Sequence, residues 1–269
     1  MLTYESLIEQ AKERGMPHTK ARGVLREYLQ ILILKELYKS GLGKKMFFTG
    51  GTYLRLVHNT KRFSEDLDFE TNSLSRKEFE SDLADVTKEF SRLGMKLDLS
   101  FEHWGNVYSS RLIFKDIEKQ YNIVSKYSKK EGIIIKVETC KVGYKIKTQP
   151  QMLSGFGEFF PYMCLTEGII FANKIDTFLK KERGRHLYDM MFMLSKKFPI
   201  EKLVLKHLGI KQNPSEVILK RIEDLSSSML KKMAENLRPF LFEEVEADMV
   251  LRAKELLPAL LSAYERSWQ

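Results

Sequence analysis

Two adjacent glycines closing a short apolar run, followed by an acid-apolar-acid triplet, narrow what this chain can fold into more than any other feature. The stretch runs from Phe47 to Phe69 and reads FFTGGTYLRLVHNTKRFSEDLDF. Met46 to Thr49 has the composition of a short buried strand, Gly50 and Gly51 make a turn, and Thr52 to His58 continues as a helix. Such a turn lets backbone N–H groups approach a bound group closely, and a helix start favours a negative one. The glycines alone would serve equally well as a tight turn made for packing. Phe63 to Glu70 then reads as a second strand. Residues two apart on a strand point the same way, so Asp66 and Asp68 share one face while Leu67 and Phe69 face the core. Two carboxylates held that close repel unless a cation lies between them. Hard oxygen ligands suit Mg²⁺, which binds through one or two carboxylates together with substrate phosphates. For an isolated triplet, a solvated edge strand is the plain alternative.

With 269 residues, the chain can build one large domain or two modest ones. Its 43% hydrophobic and 30% charged residues are those of a globular protein, not a disordered one. The formal net charge of +9 favours polyanionic partners such as nucleotides or nucleic acid. Cys140 and Cys164 are too few for a disulfide framework and too far apart for a CxxC metal site, which fits a reducing cytoplasm. The opening MLTYESLIEQAKERG lacks the pattern of a signal peptide. Ile31 to Leu34, a strongly apolar run, falls far short of the roughly 20 residues a membrane span needs, so no membrane insertion is expected. The histidines show no HExxH spacing and no Ser-His-Asp or Cys-His arrangement can be argued, which makes a hydrolase a poor candidate.

From Tyr4 to Tyr38 the apolar spacing predicts helices broken near Gly15 and Pro17, with Gly41 and Gly43 ending the helical lead. Ser75 and Glu78 form a capping-box signature, and Phe79, Leu83, Val86, Phe90 and Leu93 make one helix face that stops at Gly94. Three strand-like runs follow: Lys96 to Phe101, Tyr108 to Phe114 and Ile133 to Thr139. Beyond Pro161 the pattern is helical almost throughout. Thr166 is the expected N-cap of TEGIIFANKIDTFLKK, another helix covers about Arg185 to Ser195, and Pro199, Pro214 and Pro239 punctuate the rest. The expected class is α+β, divided into a helical segment over 1–43, a sheet core over 44–160 and a helical domain over 161–269.

GGTYLRLVHNTKRFSEDLDF resembles the first motif of the DNA polymerase beta-like nucleotidyltransferase superfamily, a glycine turn followed by a DxD strand. Its finer form, GGTxL followed by RxSxDLDF, resembles the AbiEii/AbiGii toxin family of abortive-infection toxin-antitoxin systems. A second likeness lies in ANKIDTFLKKERGRHLYDM, where Lys174 and Asp189 match the family's helix lysine and the acid of its RDLYDL-like stretch. His186 stands where that stretch has its first acid, so position 186 departs from the pattern. The motifs span about residues 44–195.

The resemblance implies a polymerase beta-like core, a mixed sheet with packing helices, and transfer of a nucleoside monophosphate from an NTP to an acceptor. Asp66 and Asp68 would bind Mg²⁺, with Mn²⁺ as a substitute, and Gly50, Gly51 and Thr52 would hold the β- and γ-phosphates. Glu138, which shares a strand face with Lys136, matches the superfamily's third acid as base or metal ligand. A surface Lys-Glu strand would look the same. Lys174 would neutralise the triphosphate, and Asp189 would orient Lys174 or contact the nucleotide. Arg62 and Ser64 would meet phosphate or acceptor, or simply fix the loop. A cognate antitoxin protein is implied as partner. The expected acceptor is RNA such as tRNA, because Lys119 to Lys147 holds eight lysines against two glutamates, with Tyr121, Tyr127 and Tyr144 interleaved. A solvated lysine-rich loop has the same composition. Protein nucleotidylation, an antibiotic-modifying nucleotidyltransferase, and a nucleotide- or RNA-binding module without turnover remain as alternatives.

Overall fold

The computed structural model describes residues 1–123 and 132–267. The chain forms two compact units. One comprises Met1–Asn59 and Phe63–Leu165, the other Thr60–Arg62 and Thr166–Gln269.

The first unit opens with helices α1 (Tyr4–Glu13) and α2 (Ala21–Lys39), which group with the sheet instead of standing apart as a lead segment. It continues through β1 (Phe47–Thr49), α3 (Gly50–His58), β2 (Leu67–Thr71), α4 (Arg76–Arg92), β3 (Lys96–Trp104), β4 (Val107–Lys115), α5 (Ile117–Gln120), β5 (Ile133–Lys141), β6 (Thr148–Gly155) and β7 (Glu158–Leu165). These strands make one seven-stranded sheet in the order β3-β4-β5-β2-β1-β7-β6. β2 and β5 run parallel, as do β1 and β7, while the other neighbours are antiparallel.

Alternation along the strands gives the sheet two chemically distinct faces. Phe48, Leu67, Phe69, Ile133, Ile135 and Val137 are buried on one face. Helix α2 packs against β5, β7 and α4, and it buries residues on nearly every side, including Val24, Leu25, Tyr28, Leu29 and Ile31. A helix apolar all round belongs inside a core. Asp68, Lys136 and Glu138 point to the opposite face.

The capping box of α4 forms as expected, with Ser75 and Glu78 bonding reciprocally and Phe79, Leu83, Val86 and Phe90 buried. Leu93, by contrast, is 53% exposed and does not join that face. β2 starts at Leu67, four residues later than the sequence pattern placed it. Strands β6 and β7 were not expected, and β7 runs past Pro161 to Leu165. Proline is tolerated there because β1 is only three residues long and meets β7 at Cys164, so Pro161 owes no hydrogen bond on that side.

Two of the tyrosines expected to stack on RNA are core residues instead. Tyr121 is buried with its hydroxyl donating to the Leu2 carbonyl, and Tyr144 is buried with its hydroxyl on Glu70. Tyr127 lies outside the described residues.

The second unit is helical: α6 (Glu167–Lys180), α7 (Gly184–Ser195), α8 (Lys202–His207), α9 (Pro214–Asp224), α10 (Ser227–Leu237), α11 (Asp248–Leu251) and α12 (Ala253–Arg266). Thr166 holds the N-cap position of α6, and Pro214 opens α9, where its missing N–H costs nothing. The segment Thr60–Arg62 is tied into this unit through the Phe242 N–H, which donates to the Lys61 carbonyl at 2.8 Å, and a bridge between Arg62 and Leu241. Among the described residues, no helix is long and apolar enough to cross a membrane. Neither cysteine is in a disulfide.

Candidate active site

In the first unit the site is built around an interlock between Gly50 and Asp68. Gly50 has φ +81°, which favours glycine, and a Cβ built on it would fall 2.2 Å from Asp68 Oδ2 and 2.7 Å from Asp68 Cβ. The carboxylate therefore occupies the space a side chain would need. The β1–β2 ladder sets this up by pairing Thr49, next to the glycine, with Asp68. Gly51 is buried in the first turn of α3.

Thr52 corrects one expectation. Its side chain is fully buried and its hydroxyl donates to the Asp66 carbonyl, so in this structure it fixes the main chain of Asp66 and does not face a phosphate. Ser64 is held similarly, its carbonyl accepting from the buried Gln30 Nε2 at 3.1 Å, and Arg26 pairs with Glu65 at 2.9 Å. The approach to β2 is thus fastened to α2 at two consecutive residues, Ser64 and Glu65.

Glu138 lies directly beside Asp68. The two are register partners in the parallel β2–β5 ladder, which puts their side chains on one face a strand spacing of about 4.8 Å apart. Lys136 pairs with Glu138, and its Nζ lies 5.0 Å from the centroid of the Trp104 ring. Ser109, opposite Glu138 on β4, is buried, and its hydroxyl has no hydrogen-bond partner among the described residues. No group of three or more His, Cys, Asp or Glu side chains is arranged to hold a metal among the described residues. The donors available are the Asp66 and Asp68 pair, both half-buried. An all-oxygen set of that size fits a hard divalent cation that takes its other ligands from phosphate and water.

The sequence reasoning missed one buried ion pair supporting this region. Arg55 of α3 is 1% exposed and donates from Nε to Glu27 of α2 at 2.8 Å, with Nη1 on Asn59 at 2.7 Å. An arginine between two leucines of a short amphipathic helix, Leu54-Arg55-Leu56, was the available signal.

In the second unit three expected residues come together. Asp189 of α7 is fully buried and accepts from Arg62 through both oxygens, Nε to Oδ1 at 2.6 Å and Nη2 to Oδ2 at 2.7 Å. Lys174 of α6 adds Nζ to Oδ2 at 2.8 Å. Burial pushes the Asp189 carboxyl up, but the Arg62 guanidinium and Lys174 ammonium outweigh it and hold the group well below the usual carboxylate range. Asp189 is thus buried against the lysine it would orient. Arg62 is 2% exposed and its guanidinium ties its segment to Asp189. His186, where the family pattern departs, sits beside this cluster. Burial first, then the Lys174 charge, lower its imidazole to about 3, so it is neutral near pH 7. Neither ring nitrogen has a hydrogen-bond partner among the described residues.

The sequence profile of the nucleotidyl transferase AbiEii toxin of type IV toxin-antitoxin systems matches residues 32–265. The chain belongs to this AbiEii toxin family. Membership makes the AbiEii-family chain a nucleotidyltransferase, with an NTP as substrate and a cognate antitoxin implied by the type of system. Its fold is shared with MenT4, a nucleotidyltransferase toxin of Mycobacterium tuberculosis H37Rv: 17% identity, 99% of this chain and 93% of that one covered, TM-score 0.59. A protein of H. pylori assigned as a nucleotidyltransferase aligns with 18% identity over 91% of this chain and 96% of its own, TM-score 0.55. A comparison with curated proteins finds no match for this AbiEii-family sequence.

Proposed function

We propose that this toxin transfers a nucleoside monophosphate from an NTP to the 3′ hydroxyl of an RNA such as tRNA, with a divalent cation bound at Asp66 and Asp68. The observation that carries this reading is the Gly50–Asp68 interlock beside Glu138, a carboxylate held in one place by a glycine that leaves room for nothing else. The acceptor hydroxyl oxygen bonds to the α-phosphorus, the bond from that phosphorus to the β-bridging oxygen breaks, pyrophosphate departs, and Glu138 takes the hydroxyl proton. When bound, Mg²⁺, or Mn²⁺ in its place, neutralises triphosphate charge and acidifies the attacking hydroxyl. Positioning supplies most of the remaining acceleration.

The protein's own groups divide the labour. Gly50 and Gly51 let the backbone at the start of α3 approach the β- and γ-phosphates. Thr52 acts as a positioning residue by fastening the Asp66 carbonyl, and Ser64 lies in the same approach to β2, its own carbonyl held by Gln30. The motif match assigns Lys174 the charge of the triphosphate or the departing pyrophosphate, and Asp189 with Arg62 holds that lysine in its orientation. RNA as acceptor is supported by the net charge of +9. The first unit's two free thiols and the absence of a long apolar helix among the described residues accord with work in the cytoplasm.

The test is label transfer with purified protein, Mg²⁺, each α-labelled NTP in turn and total cellular RNA. Label on RNA that depends on intact Asp68 supports the proposal. Label on protein, or none while NTP still binds, overturns the RNA acceptor or turnover, respectively.

A further inference from the structure

The polar sheet face that carries Asp68 extends across β5 and β4 to β3, and it ends in an aromatic side chain that the transfer chemistry does not use. Trp104, the last residue of β3, is 47% exposed. Register places it on this face: Trp104 pairs with Val107, Val107 with Cys140, and Cys140 lies two residues beyond Glu138 on β5. Arg111, exposed on the same face of β4, pairs with Lys136. Lys136 touches both ends of the arrangement, pairing with Glu138 and lying over the Trp104 ring. A continuous line of side chains therefore runs Asp68, Glu138, Lys136, Trp104, flanked by Arg111. The acids on this face are Asp68, Glu70, Asp98, Glu102 and Glu138, of which Glu70 accepts from the Tyr144 hydroxyl, Asp98 pairs with Lys115 and Glu138 with Lys136.

A half-exposed indole with one cation over its ring and a second further along the same face is a combination that binds single-stranded nucleic acid without reading its sequence. Every base offers a π-face to stack, and each cation can meet a backbone phosphate. Three strand spacings separate β2 from β3, about 14 Å, so a base on Trp104 belongs to a nucleotide upstream of the reacting one. We propose that this end of the sheet is a stacking subsite for the single-stranded 3′ end of the RNA acceptor: one base lies on Trp104, and its neighbouring phosphates meet Arg111 and Lys136. The subsite rests on the RNA-acceptor reading above and adds the residues that hold the acceptor. It also replaces the tyrosines of the lysine-rich stretch as the aromatic contact, because Tyr121 and Tyr144 are buried.

Binding without turnover tests it. The full chain carrying Trp268→Phe, which leaves Trp104 as the reporter, is titrated with a short single-stranded oligoribonucleotide, and its tryptophan fluorescence is followed. Quenching is expected on binding. By anisotropy of the labelled oligoribonucleotide, Trp104→Ala weakens affinity about five- to a hundredfold and Trp104→Phe restores most of it, as loss and return of one stacked base require. Arg111→Ala weakens binding and lowers the salt dependence by about one phosphate contact. NTP affinity is unchanged in all three variants. Equal oligoribonucleotide affinity in Trp104→Ala and the parent, or a matching loss of NTP affinity, overturns the subsite. So does failure of the parent to bind the oligoribonucleotide, although Asp68-dependent transfer to RNA would then still stand.

Discussion

The two clusters of candidate site residues in this toxin handle charge in opposite ways. Asp66, the residue before β2, and Asp68 on it are half-buried like charges: Gly50 leaves the room that the Asp68 carboxylate fills, and the Thr52 hydroxyl fixes the Asp66 carbonyl. Lys174, Asp189 and Arg62 are opposite charges sealed from solvent, and they satisfy one another through three hydrogen bonds. The first arrangement places like charges near one another, and the proposed function gives it a cation to hold. The second is complete in itself, so its energy goes into fixing Lys174. If the proposed function holds, transfer in the first cluster should be separable from stability, and in the second it should not.

The largest expected effect tests the first half of that contrast. Asp68→Ala should lower label transfer about a thousandfold or more, because the proposed reaction draws several kcal/mol of charge stabilisation from a cation at this carboxylate. Its thermal unfolding should stay close to that of the parent. An equally large fall in Tm would show that the carboxylate pair is structural.

Asp189→Ala should do the reverse. Two buried cations lose their partner, at a cost of about 3–5 kcal/mol, and denaturant unfolding should show it even without NTP. A variant that keeps its stability but loses transfer would place Asp189 in contact with substrate. Gly50→Ala should fall between these cases. Left-handed backbone costs a methyl-bearing residue about 1 kcal/mol, whereas displacement of the Asp68 carboxylate should reduce transfer by at least tenfold. A stability loss with transfer retained would break the interlock.

The smallest effect sharpens the second cluster. In the folded protein His186 stays neutral down to about 3, while in the unfolded chain it protonates near its ordinary 6.5. The unfolded state thus binds more protons between these values, and stability falls as pH drops from about 6.5 towards 3, by at most about 1.4 kcal/mol per pH unit from this group. Asp189 adds its own loss below its ordinary 3.8, because its carboxylate is the form the folded state favours. Denaturant midpoints measured across pH should show a shallower fall above pH 4 in His186→Asn than in the parent. Parallel curves would mean that His186 titrates alike in both states.

Local chemistry was legible where a residue's role depends on its near neighbours in the chain. The capping box at Ser75, the glycine turn at Gly50 and the alternation of Asp66 to Phe69 are short-range patterns, and each formed as its spacing demanded. The match of Lys174 and Asp189 to the family motif was legible too, as residue types in order. What stayed hidden depended on which strand lies beside which. Asp68 and Glu138 are seventy residues apart in sequence and adjacent only because β2 and β5 pair in parallel at that register. Strands β6 and β7 were missed because proline breaks a strand pattern unless one side is unpaired: β6 is the sheet edge, and the short β1 meets β7 only at Cys164. Thr52, Tyr121 and Tyr144 carried polar groups that sequence could assign to a ligand, but burial turned each inward to a carbonyl or carboxylate. Sequence by itself thus determined the residue types and local conformations the chemistry requires. Tertiary structure decided which of those groups face solvent, because burial and strand register depend on contacts between segments far apart in the chain.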